Sequence, residues 1–185
     1  MAQTSRPGGR TAQTRAAVFA ATEALLETTG PSEISMTDIA ARAGVAATSL
    51  YRRWGDLSTL LMEVAVERLT RESPLPDTGS LAGDLGLWAT RVARSLSSPT
   101  DSIFFRVYVA TAPVGAGVTP GRGPAITRRL GQIAAMLDRA TARGEPTPPL
   151  MEVVDHLLAP LYMRALFGLP GDESVAAGLV ERLLA

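Results

Sequence analysis

Residues 34–61 read ISMTDIAARAGVAATSLYRRWGDLSTLL, and this stretch decides the fold. Ser35 is a favourable N-cap, and Asp38 three residues later completes a variant of the capping box, so a helix is predicted to begin at Met36. Gly44 then allows the sharp reversal of the backbone that ends this helix. The stretch therefore predicts two short helices joined by a tight turn, with a third helix directly after them.

The second helix of this motif is expected to have a polar outer face. Residues 47–54 have room for about two helical turns, with Leu50 and Trp54 one turn apart on the inner side. The outer side carries Thr48, Ser49, Tyr51, Arg52 and Arg53. Hydroxyl groups bond phosphate oxygens, and an arginine pairs with a phosphate or a guanine edge. This face is typical of a helix that binds duplex DNA, although a helical hairpin with a solvated face has the same pattern.

The motif resembles the headpiece of the tetracycline-repressor (TetR) family. The resemblance rests on SMTDIAARAGV at residues 35–45 and on SLYRRW at residues 49–54. It implies that Thr37 and Tyr51 contact phosphates, and that Arg53 and Trp54 lie at the rim of the DNA backbone. It also implies that the residues that face the bases are Ala47, Thr48 and Arg52.

Two positions depart from the family pattern. Ala46 stands where the family usually has a serine that caps the recognition helix, and this loss costs about 1 kcal/mol of local helix stability. Leu57 stands where a phosphate-binding lysine usually opens the next helix, so no phosphate contact is carried over to position 57. Asp56 is still expected to cap that helix.

Composition indicates a soluble protein whose positive charge is local. The chain has 185 residues, 46% of them apolar, a net charge of zero and no cysteine. We expect no disulfide or thiolate metal site, no signal peptide and no membrane span, and therefore a cytoplasmic protein. A flexible arm at residues 1–11 and the motif are expected to place positive charge on the DNA side. The arginines concerned are Arg6, Arg10, Arg15, Arg42, Arg52 and Arg53.

Helical spacing of apolar residues continues on both sides of the motif. It predicts one helix at residues 11–29 and another at residues 57–71. Prolines at positions 74 and 76 then mark a domain boundary. We expect a DNA-binding domain with its arm and linker helix at residues 1–72, and a helical domain at residues 73–185.

The helical domain is predicted to contain several amphipathic helices. Residues 81–96 and 126–137 each show a regular apolar stripe, and residues 113–123 are expected to form a loop. Residues 101–112 favour a helix, although their β-prone side chains leave a strand as the alternative.

Two segments near the C-terminus carry more apolar surface than one core can use. Residues 150–167 and 175–184 each show apolar side chains on two faces, which favours a four-helix bundle with a second copy of the chain. The residues expected at this dimer interface are Leu150, Val154, Leu157, Leu161, Val175, Leu179 and Leu183. Pro160 has no N–H for the carbonyl of His156 and is expected to bend the first segment.

No constellation of catalytic residues is recognisable. A glycine-rich loop at residues 115–123 lacks the preceding strand and the following Gly-Lys-Ser/Thr of a phosphate site, so a plain connection is favoured. His156 is the only histidine, and Asp155 beside it points to another helix face. We therefore expect no catalytic residue, no metal and no cofactor.

Side chains of the helical domain could instead line an apolar ligand cavity, although plain core packing gives the same spacing. The candidates for such a wall are Trp88, Arg91, Phe104, Phe105, Tyr108, His156 and Tyr162.

These features favour an all-α protein, with a three-helix helix-turn-helix headpiece followed by a helical ligand-binding and dimerisation domain. The resemblance implies a transcriptional regulator: a homodimeric repressor of a pseudo-palindromic operator, released by a small-molecule effector. The alternatives are a ligand-independent or architectural DNA-binding dimer, and a small enzyme that uses the helical pocket. The expected partners are double-stranded DNA, the effector and a second copy of the chain, with no membrane.

Overall fold

Every secondary-structure element in the described part of the chain is a helix. The structure is a computed structural model that describes residues 7–31, 33–98, 101–111 and 123–185, without the side chains of residues 7–10 and 123–126. Its α-helices are α1 Pro7–Thr28, α2 Met36–Ala43, α3 Ala47–Trp54, α4 Leu57–Glu72, α5 Leu81–Ser97, α6 Asp101–Thr111, α7 Gly123–Ala142, α8 Leu150–Val153, α9 Ala159–Leu166 and α10 Glu173–Leu184. A π-helical segment, Val154–Leu158, joins α8 to α9. The predicted all-α fold is confirmed.

Residues 7–11, 101–112 and 113–123 are the segments where the predicted and the observed structure have to be compared. The helix α1 begins at Pro7, so residues 7–11 are helical where a flexible arm was expected, because the fixed φ of proline suits the first position of a helix. The strand alternative for residues 101–112 is wrong, since α6 is a helix. The loop predicted at residues 113–123 lies outside the described residues except for Gly123, which begins α7.

The helix-turn-helix is capped as the sequence predicts. The hydroxyl of Ser35 accepts the N–H of Asp38 at 3.2 Å, and the carboxylate of Asp38 accepts the N–H of Ser35 at 3.0 Å. Gly44 has a φ of 67°, in the left-handed region that favours glycine, and it closes α2. Asp56 accepts a backbone N–H of α4 at 2.7 Å, whereas Ala46 gives α3 no such bond.

Two apolar clusters form the core. The headpiece cluster contains side chains from all four helices α1, α2, α3 and α4, together with Phe104 and Val107 from α6. The second cluster surrounds Trp88 and collects side chains from the helices between α5 and α10. Because α6 contributes to the headpiece cluster, the helices after residue 73 pack directly against the headpiece.

Pro160 disturbs its helix by widening it. Proline has no N–H, so the carbonyl of His156 cannot accept the usual bond from four residues ahead. Directly before this proline the chain forms π-helical turns, in which the N–H of Ala159 donates to the carbonyl of Val154 five residues earlier. The disturbance predicted at Pro160 thus takes the form of a π-helical segment.

The apolar surplus near the C-terminus is smaller than the sequence indicates. Leu157, Leu161 and Leu179 are 0%, 1% and 7% exposed and fill the core of their own subunit. The prediction that they lie in a dimer interface is therefore wrong, because α5 and the neighbouring helices of the same subunit already cover them. The other predicted interface residues, Leu150, Val154, Val175 and Leu183, are half-buried.

Candidate DNA-binding site and the cavity of the helical domain

The helix α3 presents its polar face to solvent. Leu50 and Trp54 are 1% and 6% exposed and anchor the helix on the headpiece cluster, while Tyr51 is 52% exposed. Thr37, at the start of α2, is exposed as well. The other predicted contact residues are exposed or half-buried: Ala47, Thr48, Ser49, Arg52 and Arg53. All of them are accessible to a partner.

Glu63 links α4 to both α1 and α3 within the headpiece. Its carboxylate accepts Nε1 of Trp54 at 2.6 Å and Nη2 of Arg15 at 2.9 Å. The guanidinium of Arg15 also lies 4.0 Å from the ring centre of Phe19 and 3.1 Å from the carboxylate of Glu67. The expectation that Arg15 faces DNA is therefore wrong. Its charge is neutralised inside the headpiece, where it helps to fix the C-terminal end of α3.

Arg53 is partly engaged within the headpiece. Its Nη1 donates to the carbonyl of Thr11 at 3.5 Å, and its guanidinium lies 5.1 Å from the ring centre of Trp54. These contacts hold Arg53 beside the junction of α1 and α3, at the edge of the exposed face.

Arg42 on α2 and Arg52 on α3 are cations without an ion pair among the described residues. Both are exposed, and the ion pairs among the described headpiece residues involve other arginines: Arg15, Arg68 and Arg71. Arg6 and the side chain of Arg10 lie outside the described residues. An uncompensated charge on a surface attracts phosphate even when the chain as a whole is neutral.

A cavity of about 280 Å³ lies where the helical domain meets α4, between α4, α6, α7 and the segment from α8 to α9. Its polar wall groups come from Thr70, Tyr108, Arg129 and Tyr162. The rest of the wall is apolar and includes Val66, Leu69, Ile133 and Leu158. An apolar wall with a few polar groups is the usual composition of a small-molecule site.

Two of the predicted cavity residues, Tyr108 and Tyr162, line this cavity. Trp88, Phe104 and Phe105 are at most 3% exposed and belong to the two core clusters instead. Helical spacing did not separate the two groups, because core and cavity side chains both face inward.

Arg91 and His156 also lie away from the cavity wall. Arg91 donates from Nη1 to the carbonyl of Pro74 at 2.8 Å, which fastens the linker between the domains. His156, in the π-helical segment, is exposed on the outer surface. The expectation that they orient a ligand in this cavity is therefore corrected.

Arg129 is the cation at the cavity wall. Its Nη2 donates to the carbonyl and hydroxyl of Ser73 at 2.8 and 2.9 Å, and its guanidinium lies 5.1 Å from the ring centre of Trp88. Burial lowers the pKa of Arg129 to about 10, with Tyr162 opposing this effect, so the group remains charged at neutral pH. Arg128 pairs with Glu67 at 2.9 Å, whereas no carboxylate of the described residues pairs with Arg129.

The two tyrosines of the wall are neutral donors at neutral pH. Burial raises the pKa of Tyr162 to about 12, and burial also raises the pKa of Tyr108. Their rings lie 6.3 Å apart, and the ring of Phe105 lies 5.2 Å from that of Tyr162. The wall therefore offers one fixed cation and two phenolic hydroxyl groups, besides the hydroxyl of Thr70.

Arg68 joins the headpiece to the helical domain. From α4 it reaches the carboxylate of Glu23 on α1 at 3.0 Å and that of Asp101 on α6 at 3.0 Å. Its guanidinium also lies 5.1 Å from the ring centre of Phe104. Since α4 lines the cavity with Val66, Leu69 and Thr70, one helix contacts the cavity, the headpiece cluster and this charged network.

Within the described residues, no three or more acidic or histidine side chains gather where they could hold a metal ion. None of the helices described has both the length and the apolar character needed to cross a bilayer.

Two family models match the chain. Residues 75–183 match the model described as "Tetracyclin repressor-like, C-terminal domain", and this match alone covers more than half of the chain. Residues 18–64 match "Bacterial regulatory proteins, tetR family". The chain belongs to the TetR family. It is a DNA-binding transcriptional regulator with an N-terminal helix-turn-helix, as the motif at residues 35–54 predicts.

Other TetR-family and helix-turn-helix proteins resemble this chain over most of its length. The regulator AqdR of Rhodococcus erythropolis is 33% identical over 136 residues, which cover 74% of this chain and 65% of AqdR, just under two thirds. The regulator YdeS of Bacillus subtilis (strain 168) is 28% identical over 179 residues, with 92% of this chain and 86% of YdeS covered. The crystal structure of the TetR-family regulator SCO0332 has a TM-score of 0.75 at 24% identity, over 93% of this chain and 97% of that one, and shows the shared fold.

The sequence did not predict the roles of three side chains that fix α3, join α4 to α1 and α6, and place a charge at the cavity wall. They are Glu63, Arg68 and Arg129. Glu63 and Arg68 lie on an amphipathic helix, where a charged residue normally indicates a solvated face. Arg129 follows another arginine with no local pattern that separates the two. Because Glu63 and Glu67 are four residues apart, the sequence could have predicted that both lie on one face of α4. It could not have predicted that Arg15 on α1 pairs with them.

Proposed function

We propose that this regulator is a homodimeric repressor that binds a pseudo-palindromic operator and leaves it when a small molecule fills the cavity. The observation that carries the proposal is the exposed polar face of α3, which includes Arg52, together with the exposed Arg42 on α2; neither arginine forms an ion pair among the described residues. In a dimer, two such helices must lie roughly 34–36 Å apart to enter successive major grooves. Such a protein acts in the cytoplasm, on chromosomal DNA, with residues 1–72 on the DNA and residues 73–185 forming the helical domain.

On the operator, we assign the phosphate contacts that position the protein and the base contacts that select the sequence to different residues. Thr37 and Tyr51 bond phosphates, while Arg52, Thr48 and Ala47 face the base edges. Ser49 and Arg53 flank this surface and contact the DNA backbone. The exposure of these residues supports the assignment, as does the anchoring of α3 by buried Leu50 and Trp54. A helix held on two inner residues can present its outer face in a constant geometry.

Selection of bound fragments from genomic DNA tests operator binding. The recovered sequences should share a palindromic motif and bind about a thousandfold or more tightly than random DNA at the same salt concentration. An architectural protein would show little preference between the two. Arg52→Gln should relax base preference at one position of the motif by about 1–3 kcal/mol. The matched control is Arg94→Gln, an exposed residue on α5, which should bind like the parent.

The dimer surface we propose is the exposed side of α9 and the turn that follows it. Met163, Leu166, Phe167 and Leu169 are between 45% and 67% exposed, although all four are large and apolar. A contiguous apolar patch on a soluble protein is typical of an interaction surface, and a self-complementary patch forms a two-fold dimer. This patch takes the place of the buried leucines that the sequence indicated.

Sedimentation at micromolar concentration tests the dimer. Phe167→Glu should yield folded monomers, because a charge in the buried centre of an interface is costly. Leu87→Glu is the matched control, since Leu87 is a large apolar residue that is 40% exposed on α5, which is not part of the proposed surface. A parent protein that sediments as a monomer, or a Phe167→Glu variant that remains a dimer, would refute the assignment.

For release, we propose that a ligand in the cavity moves α4. A ligand can weaken operator binding only by its preference for a conformation with another spacing of the two headpieces. The helix α4 is the connection, since it lines the cavity and also carries the headpiece core residues Leu60 and Val64. Its link to α1 and α6 through Arg68 makes independent movement of the two domains costly.

A cavity-filling substitution tests this coupling without a ligand. Ala159→Phe inserts a ring at the cavity wall and should weaken operator binding by about 5–150-fold, the usual range of coupling between sites. Ala135→Phe is the matched control on the exposed side of α7 and should leave operator affinity unchanged. Equal operator binding by a folded Ala159→Phe protein would contradict release through the cavity.

A further inference from the structure

Arg129 is an unusual group for the wall of an apolar cavity. A buried charge is normally paired, because the loss of hydration is otherwise uncompensated. The described residues offer Arg129 only neutral partners: the carbonyl and hydroxyl of Ser73, the side-chain oxygen of Gln132 at 3.3 Å and the ring of Trp88. The cavity thus contains a cation without a counter-ion.

The neighbouring arginine shows that a carboxylate partner was within reach of this helix. Arg128 is about half exposed and pairs with Glu67, whereas the more buried Arg129 pairs with none of the described acids. The better-hydrated cation therefore has the counter-ion, and the poorly hydrated one faces the cavity. That arrangement suits a counter-ion that comes from outside the protein.

We propose that the effector is an apolar monocarboxylate whose acid group pairs with Arg129 and whose hydrocarbon part occupies the apolar wall. This inference rests on the proposed function, because it names the chemical class of the molecule that fills the cavity. A guanidinium binds a carboxylate through parallel N–H bonds, and this pairing is stronger than a neutral hydrogen bond. The neutral hydroxyl of Tyr162 supplies a further donor near the same charge.

The remaining wall determines the rest of the ligand. Leu69, Ile133 and Leu158 accept a hydrocarbon chain or a small ring but offer no acceptor for a second charged group. A volume of about 280 Å³ limits the ligand to a small molecule. A dianion or a zwitterion would leave one charge unpaired in this space, which excludes most polar metabolites.

Three ligands of equal chain length test the head-group: octanoate, 1-octanol and octylamine, each titrated into the full-length protein by calorimetry. We expect octanoate to bind about tenfold or more tightly than either of the others, the effect of one added charged bond. Partition from water into an apolar space alone would favour the neutral alcohol, so preference for the anion needs a cation in the cavity. Equal binding of octanoate and 1-octanol, or no binding of any of the three at millimolar concentration, would overturn the proposal.

Two variants locate that cation. Arg129→Gln should abolish the preference for octanoate, and Arg128→Gln, one residue away and exposed, should keep it. Circular dichroism checks that both variants are folded. If Arg129→Gln fails to fold, the head-group comparison on the parent protein still decides whether the cavity prefers the anion. A folded Arg129→Gln protein that retains the preference would refute the role of this residue.

Operator affinity in the same samples separates this inference from the proposed function. Weaker operator binding with octanoate bound supports both. Unchanged operator affinity despite Arg129-dependent binding of octanoate would refute release through the cavity while upholding the carboxylate site. Failure to bind any operator would refute the repressor proposal, whereas the calorimetric comparison would be unaffected.

Discussion

Replacement of Glu63 by glutamine tests whether this carboxylate sets the position of α3. In the parent protein one oxygen accepts Nε1 of Trp54 at 2.6 Å, and the other accepts Nη2 of Arg15 at 2.9 Å and Nε at 3.2 Å. Glutamine has nearly the same size but only one acceptor oxygen, and its amide group would oppose a donor. Glu63→Gln therefore removes one of the two links without leaving a cavity.

The expected cost follows from the kind of bond and its exposure. A hydrogen bond to a charged group contributes about 1.5–3 kcal/mol. The side chains of Glu63 and Arg15 are 26% and 24% exposed, so solvent screening reduces this to about 1–2 kcal/mol. For a chain of this size, such a loss lowers the melting temperature by about 2–8 °C. Operator affinity should also fall, because Trp54 anchors the C-terminal end of α3.

Thermal unfolding followed by circular dichroism measures the stability, and titration with operator DNA measures the binding. Glu67→Gln is the control. Glu67 pairs with Arg15 at 3.1 Å and with the half-exposed Arg128 at 2.9 Å, but it makes no bond to α3 among the described residues. Its substitution should cost less than about 1 kcal/mol, the usual value for a partly exposed ion pair. If Glu63→Gln is no more costly than Glu67→Gln and binds operator equally well, the reasoning about α3 is refuted.

Three further predictions concern DNA affinity and acid stability. Tyr51→Phe should weaken binding to operator and to random DNA alike, by about 1 kcal/mol, because it removes one hydroxyl from a phosphate contact. Equal DNA binding by the variant and the parent in titrations would rule that contact out. Affinity should fall steeply with salt despite the neutral chain, and loss of one phosphate contact changes the slope of log K against log salt by about 0.9. Arg42→Gln should therefore give a shallower slope, and an unchanged slope would place Arg42 away from the DNA. Burial acts to raise the pKa of Glu23, but hydrogen bonds from Arg71 and Arg68 hold it below its ordinary 4.5. The ionised form of Glu23 therefore stabilises the folded protein above pH 4.5, and this stabilisation is lost as the pH falls through the lowered pKa. In Glu23→Gln, the free energy of unfolding should depend less steeply on pH in the acid range. An unaltered dependence between pH 3 and pH 6 would contradict this prediction.

The helices and the DNA-binding motif could be predicted from the sequence because short-range interactions decide them. Ser35 and Asp38 cap α2 across three residues, and Gly44 supplies the left-handed backbone of the turn by itself. The inner side of α3 follows from the spacing of Leu50 and Trp54. The same local residues carry the resemblance to the TetR family, so fold class and family were both accessible without a structure.

One local prediction failed where two local preferences competed. The glycines after Pro7 indicate a flexible arm, whereas proline at that position also suits the start of a helix. The helix prevails, and α1 extends to Pro7.

Only the tertiary structure decided how each side chain is used. Helical spacing separates an inner from an outer face, but it does not name the helix that covers the inner one. Leu157 and Leu161 are therefore core residues rather than a dimer surface, because α5 and α10 pack against them within the subunit. The same limit applies to charge. Arg15 and Arg52 look alike in sequence, yet α4 places the carboxylate of Glu63 beside Arg15, whereas no carboxylate of the described residues pairs with Arg52. Ion pairs between residues 48 positions apart depend on how whole helices pack, which no short stretch of sequence encodes.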